Sequence, residues 1–133
     1  MKSNSSTKPR KQQSERKKAV AAADRAFSAY IRARDNHTCV TCGSTQSPTC
    51  GHVFSKKNYA TRWDEKNAYC QCWPCNYKHE FDPYPYTQYF LDRYGKVEWE
   101  ELHMKWSSVT KFTSCQIRLI AQGFKEKAQC LER

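Results

Sequence analysis

The chain has 133 residues, with 23 Lys or Arg against 13 Asp or Glu and eight Cys, enough for one small domain and too little for several. Met1-Lys2 opens onto Ser, Thr, Gln and Lys, and no run of about 20 apolar residues follows, so the reading is a cytoplasmic protein with neither secretory leader nor membrane span. The formal charge of +10 favours a polyanionic partner, nucleic acid first, because Lys and Arg that neutralise phosphates gain from counterion release.

Residues 1–18 hold Lys2, Lys8, Arg10, Lys11, Arg16, Lys17 and Lys18 among Ser, Thr and Gln, with almost nothing apolar to bury, and read as a disordered basic arm. Residues 15–34 carry a helical signal. Val20, Ala23, Phe27, Tyr30 and Ile31 recur at helical spacing, while Arg25, Arg32 and Arg34 fall mostly off that stripe. From Asn36 to about Asp82, short apolar fragments and dense cysteines replace helical periodicity, as expected for turns and a hairpin built round a metal. A core of about 100 residues needs a staple, and in a reducing compartment a metal outranks disulfides.

Two C-x-x-C pairs supply one. Cys39-Val-Thr-Cys42 and Cys72-Trp-Pro-Cys75 each let a tight turn aim two sulfurs at one ion, and together they complete a closed four-cysteine zinc site that is structural, with no open position for substrate. A zinc ribbon that only binds DNA or protein fits the pairs alone. A thioredoxin-like redox reading fits less well, because neither pair follows a strand in a βαβ pattern. Cys50 and Cys70 lie outside any pair but could replace a ligand, and His37, at the mouth of the first knuckle, could do the same or be an exposed residue. The 29 residues between the knuckles exceed a minimal ribbon, so something is inserted there.

A helix is expected to begin near Pro74 or Cys75, since Pro tolerates a first helical position. After Asp82-Pro83-Tyr84-Pro85 the tail reads as helical. Tyr89, Phe90, Tyr94, Trp99, Leu102 and Trp106 are spaced for a buried face, with Gly95 as a break. A last helix over 111–131 places Ile117, Ile120, Phe124 and Leu131 on one side. The tail aromatics, Tyr84 and Tyr86 included, read as core and not as a base-stacking surface, and Cys115 and Cys130 as buried free thiols. His103 has no supporting pattern.

Within the insert stand Gly51-His52-Val53-Phe54 and Trp63-Asp64-Glu65-Lys66-Asn67, followed by Cys72-Trp73-Pro74-Cys75-Asn76-Tyr77-Lys78-His79. This run resembles the HNH, or ββα-metal, nucleases, and more closely the phage lambda NinG (Rap) recombination nucleases, through Gly51-His52, Asn67, Gln71-Cys72, Cys75-Asn76 and Pro85-Tyr86. The resemblance covers roughly residues 36–95. It implies an α+β fold with a small ββα-metal core, a structural zinc held by the four cysteines, an N-terminal helix and C-terminal helices. The chain then divides into the arm at 1–18, a helix plus zinc-bound nuclease core at 19–82 and a helical region for DNA binding or dimerisation at 83–133.

The resemblance also assigns roles. His52 would be the general base, Asn67 would bond across the hairpin loop, and Asn76 and His79 would hold a catalytic Mg²⁺ or Mn²⁺. Gly51 stands where many relatives place an acidic ligand, which leaves Asp64, Glu65 and Glu80 as candidates to close the shell. Lys56, Lys57, Arg62, Lys66 and Lys78 lie near the expected centre in sequence and are candidate DNA contacts. The implied activity is hydrolysis of branched DNA such as Holliday junctions and D-loops by a homodimer, in a phage-infected bacterial cell. The rivals are a noncatalytic zinc-containing DNA-binding protein and a sequence-specific homing or restriction-type nuclease.

Overall fold

The computed structural model describes residues 14–132, so the expected basic arm lies outside the described residues up to position 13, and residues 15–18 open a helix. Helix α1 (Glu15–Arg34) starts where the Ser14 side chain accepts from the Lys17 N–H; Glu15 sits at the positive end of its dipole and Arg32 and Arg34 at the negative end. Its buried residues are Ala19, Ala23, Ala26, Phe27 and Ile31, while Val20 and Tyr30 are only half-buried. Strands β1 (Pro48–His52) and β2 (Ala68–Cys72) pair antiparallel, Pro48 opposite Cys72 and His52 opposite Ala68. A short helix α2 (Tyr59–Arg62), which no periodicity announces, lies between them.

Strand β2 runs directly into α3 (Trp73–His79), where Pro74 occupies the first turn and no N–H is missed. Helices α4 (Tyr84–Tyr94) and α5 (Lys96–Ser107) meet at Gly95, whose φ of +88° disfavours a side chain. Helix α6 (Ser114–Leu131) starts at a capping box between Thr113 and Gln116, three residues later than the apolar pattern suggested.

The hairpin is the middle layer. Successive strand residues face opposite ways, and all of β2 is buried because both faces are covered. On one face Ala68 joins Ala23, Phe27, Ile31, Ile117, Ala121 and Phe124 in a core made by α1 and α6. On the other, Val53 and Tyr69 pack with Tyr86, Phe90 and Leu102 of α4 and α5. Helices α1 and α6 meet start to start through the Glu15–Arg118 ion pair and again through Phe27 and Phe124, with ring centroids 4.9 Å apart, so they run the same way. Arg34 and Asp35 fasten the end of α1 to the hairpin: the guanidinium donates to the Glu65 and Ala68 carbonyls at 2.8 Å each, and the carboxylate accepts from the Cys70 N–H at 2.8 Å.

Residues 83–131 therefore split between the two layers. Tyr86 and Phe90 are buried and Tyr89, Tyr94 and Trp99 half-buried, as core aromatics should be, but Tyr84 and Leu131 are exposed. Cys115 and Cys130 are exposed, against expectation, because the face that α6 turns inward carries Ile117, Ala121 and Phe124 and both thiols lie off it. Among the described residues no helix is long and apolar enough to cross a membrane.

Candidate functional site

The chain leaves α1 through Asn36 and His37, both at positive φ, and enters the first knuckle, where the Cys39 N–H donates to Ser44 O and the Gly43 N–H to Cys39 O, each at 2.8 Å. The Val40 N–H donates to Cys70 O at 2.9 Å and so holds this loop beside β2. The second pair sits at a junction, Cys72 ending β2 and Cys75 in the first turn of α3. The sulfurs of Cys39, Cys42, Cys72 and Cys75 lie within 4.8 Å of one another, with Cys42 and Cys72 at 3.6 Å. Tetrahedral zinc with bonds of about 2.3 Å needs sulfurs about 3.8 Å apart, so this donor set fits a structural metal such as zinc.

Local dipoles favour a thiolate at Cys39, while burial pushes the Cys72 and Cys75 thiols up. Burial opposes charge on Cys39, but the backbone N–H groups of Cys72, Cys42 and Thr41 outweigh it and bring the thiol down to about 7. Cys50 and Cys70 face each other across the hairpin and stay outside the four-sulfur group. Burial pushes their thiols up, to about 12 and about 11. His37 is exposed and outside the group as well. His103 stacks on Phe54 with centroids 5.2 Å apart, a packing role.

At the end of β1, His52 faces a cavity of about 900 Å³ whose walls include Asn76, His79 and Glu80 on one side and Asp24, Arg25 and Arg32 of α1 on the other. His52 Nε2 lies 2.8 Å from Arg62 O, and His79 Nε2 lies 2.9 Å from Val53 O. A carbonyl can only accept. Whenever such a ring is neutral its proton is therefore on Nε2, and Nδ1 keeps its lone pair. His79 Nδ1 is buried without a partner. Burial holds the His52 pKa below its ordinary 6.5; the Arg62 carbonyl and Asp24 oppose that shift, and Lys56 and the Arg62 charge add to it, so the ring is neutral at pH 7.

Supporting contacts hold these groups. Asn76 donates from Nδ2 to Thr49 Oγ1 at 3.0 Å, which leaves its carbonyl oxygen for another partner. Asn67, fully buried, accepts from the Phe54 N–H at 2.8 Å and donates to Phe54 O and Thr61 O at 3.0 Å each, closing the loop that leaves His52. Asp24 is a residue that sequence reasoning missed. It accepts from Arg62 Nε at 3.0 Å, Arg62 Nη2 at 2.6 Å and Trp63 Nε1 at 3.0 Å, and so grips from α1 the residue whose carbonyl orients His52. Its only sequence signal was an acid within a basic helix.

Over residues 1–133 the chain matches the family model described as Bacteriophage Lambda NinG protein. The chain belongs to the NinG family. No curated protein and no solved structure matches it.

In this NinG-family chain the basic residues singled out from sequence do not form one patch. Lys56 and Lys57 line the His52 cavity, and so do Arg25 and Arg32, which were not singled out. Arg62 is neutralised by Asp24, Lys66 pairs with Glu98 at 2.5 Å, and Lys78 sits 3.7 Å from Asp82 one turn along. The acids separate as well. Asp64 pairs with Lys105 and Glu65 with Lys127, each at 2.6 Å, and of the three candidates only Glu80 lines the cavity. Gly51 has a packing reason: a Cβ there would stand 2.1 Å from Gln71 Oε1.

Proposed function

We propose that this chain is a metal-dependent endodeoxyribonuclease in which His52 is the general base. The observation that carries the reading is the paired carbonyl lock on His52 and His79, which leaves Nδ1 of both rings as lone-pair donors on residues lining one cavity. Metal-ligating and catalytic histidines are typically oriented by such a bond from the other ring nitrogen. The order β1, β2, α3 agrees with the ββα-metal resemblance.

In this mechanism His52 Nδ1 takes a proton from a water molecule whose oxygen attacks the phosphorus. The bridging P–O bond opposite breaks, the leaving oxygen gains a proton from solvent, and His52 returns its own to solvent. Neutral at pH 7, the ring is ready for this role. Asn76, through its carbonyl oxygen, and His79, through Nδ1, with Glu80 beside them, would hold Mg²⁺ or Mn²⁺, which supplies positive charge against the phosphorane-like transition state. Arg25, Arg32, Lys56 and Lys57 would meet the DNA backbone. The NinG-type resemblance adds branched recombination intermediates as substrate and a homodimer for paired incisions.

The test is four-way junction DNA with Mg²⁺ or Mn²⁺, run beside its linear arms. His52→Ala should bind within about twofold of the parent and cleave at least about a hundredfold more slowly. Equal cleavage by parent and variant removes His52 from the chemistry. Metal-dependent cleavage by neither, with junction binding intact, supports the noncatalytic zinc-containing DNA-binding protein instead.

A further inference from the structure

Beside the cavity wall formed by α3 runs a row of uncovered aromatic rings. Trp73, Tyr77 and Phe81 are spaced one helical turn apart along α3 and the residues just after it, and are 57%, 54% and 66% exposed. Trp73 and Tyr77 are nearly parallel, with centroids 5.2 Å apart and planes 9° apart, and Tyr77 meets Phe81 edge-on at 5.5 Å. Side chains of this size are normally what a small domain uses to build its core. A contiguous exposed apolar patch marks a contact surface.

The neighbouring surface identifies the contact. Asn76 and Glu80 each precede a member of the row and lie about 100° round the helix from it, and both line the His52 cavity. Arg25, Arg32, Lys56 and Lys57 line that same cavity, and none forms an ion pair among the described residues. Unpaired cations beside flat, solvent-facing rings are the combination that holds single-stranded nucleic acid, phosphates on the charges and bases on the rings. A second copy of the chain, paired through this face, would bring the same four cations towards each other. In a fully paired duplex the base faces are already covered by their neighbours, so the rings would gain nothing from it.

We propose that Trp73, Tyr77 and Phe81 form a stacking platform for unpaired DNA bases at the edge of the His52 cavity. This rests on the nuclease reading above and narrows its substrate to DNA with unstacked nucleotides next to the bond to be cut.

The experiment measures binding of full-length protein to a fluorescein-labelled oligothymidylate and to a duplex of equal length, with no Mg²⁺ or Mn²⁺ added. Trp73→Leu/Tyr77→Leu keeps apolar bulk and removes the rings. It should weaken oligothymidylate binding by about tenfold or more while duplex binding stays within about twofold. Phe81→Leu, furthest along the row from Cys72 and Cys75, should give a smaller loss of the same kind and carries the test if the double variant fails to retain zinc. Oligothymidylate should also quench tryptophan emission in the parent and quench it less in Trp73→Leu. Unchanged binding in the variants, or equal losses on single strand and duplex, overturns the platform. So does a parent dimer that the leucine variants convert to monomer, which would make this face a contact between copies. Binding here and cleavage in the junction assay above are read separately: a parent that nicks no DNA there yet loses single-strand binding in the variants here sinks the nuclease reading and keeps the platform, and cleavage there with unchanged variant binding here does the reverse.

Discussion

Replacing Gly51 by alanine tests why the residue before His52 carries no side chain. The new Cβ would lie 2.1 Å from Gln71 Oε1, 2.9 Å from Cδ and 3.2 Å from Cγ. Gln71 is 1% exposed, and its Nε2 donates to Thr41 Oγ1 at 3.0 Å, so the amide has no solvent to swing into and loses a partner if it moves. Overpacking a filled site costs about 1–3 kcal/mol and a broken hydrogen bond about 1 kcal/mol more, so Gly51→Ala should lose about 2–4 kcal/mol. Shortening Gln71 removes the obstacle. Gly51→Ala/Gln71→Ala should therefore be more stable than the sum of the single losses predicts, by at least about 1 kcal/mol. Urea titration of zinc-loaded protein, followed by tryptophan emission, measures all four corners of the cycle. Additive losses, or a Gly51→Ala variant as stable as the parent, would refute the collision. An acid at position 51 meets the same obstacle, which is a physical reason for the proposed metal donors to come from α3.

The other predictions concern the supports of the site. Asn67→Ala should cost about 3 kcal/mol in the same titration, since three buried hydrogen bonds to Phe54 and Thr61 are lost together; a loss below about 1 kcal/mol would show the loop closes without it. Removing the metal, by chelation or by Cys42→Ala, should abolish cooperative thermal unfolding, because the knuckles join the α1 exit to β2 and α3; a near-parent Tm in a sample shown to be metal-free would contradict this. For pH, the folded His52 pKa lies below 6.5, so the unfolded chain takes up the proton first. Stability present above about pH 6.5 is then lost as pH falls through the folded value. At fixed zinc occupancy, Tm should drop more between pH 7 and 5.5 in the parent than in His52→Gln; equal drops would mean that His52 is not the group responsible.

Local signals made part of this molecule readable. The stripe through Ala23, Phe27 and Ile31, the two C-x-x-C spacings and the break at Gly95 each depend on residues a few positions apart, and each has a counterpart in the fold. What was not readable depends on partners distant in sequence. The Ile117 and Phe124 stripe says that α6 is buried on one side, but not that its cover is α1. Asp24 looks like a solvated helix residue until Arg62 and Trp63 arrive from beyond the first knuckle. Lys66 and Arg62 look like free cations for the same reason, their acids being 32 and 38 residues away. The row Trp73, Tyr77 and Phe81 failed in the opposite sense. Its one-turn spacing is what a buried face would show, but α3 packs on the hairpin and on α4 through its other residues and leaves the row uncovered.

The cavity thus has two walls with separate supports. On one side, α6 covers α1, α1 presents Asp24, and Asp24 holds Arg62 so that its carbonyl fixes the His52 ring. On the other, the knuckles fix where α3 starts, and α3 carries Asn76, His79 and Glu80. Asn67 bridges the loop between β1 and β2, and the Val53 carbonyl beside it accepts a hydrogen bond from His79 Nε2–H, so the proposed base His52 and the proposed metal donors are registered through that one turn. A catalytic group displaced by an ångström loses rate steeply. In a core this small, that turn is where the position of His52 relative to α3 is set, and its tolerance to substitution should be the lowest outside the cysteines.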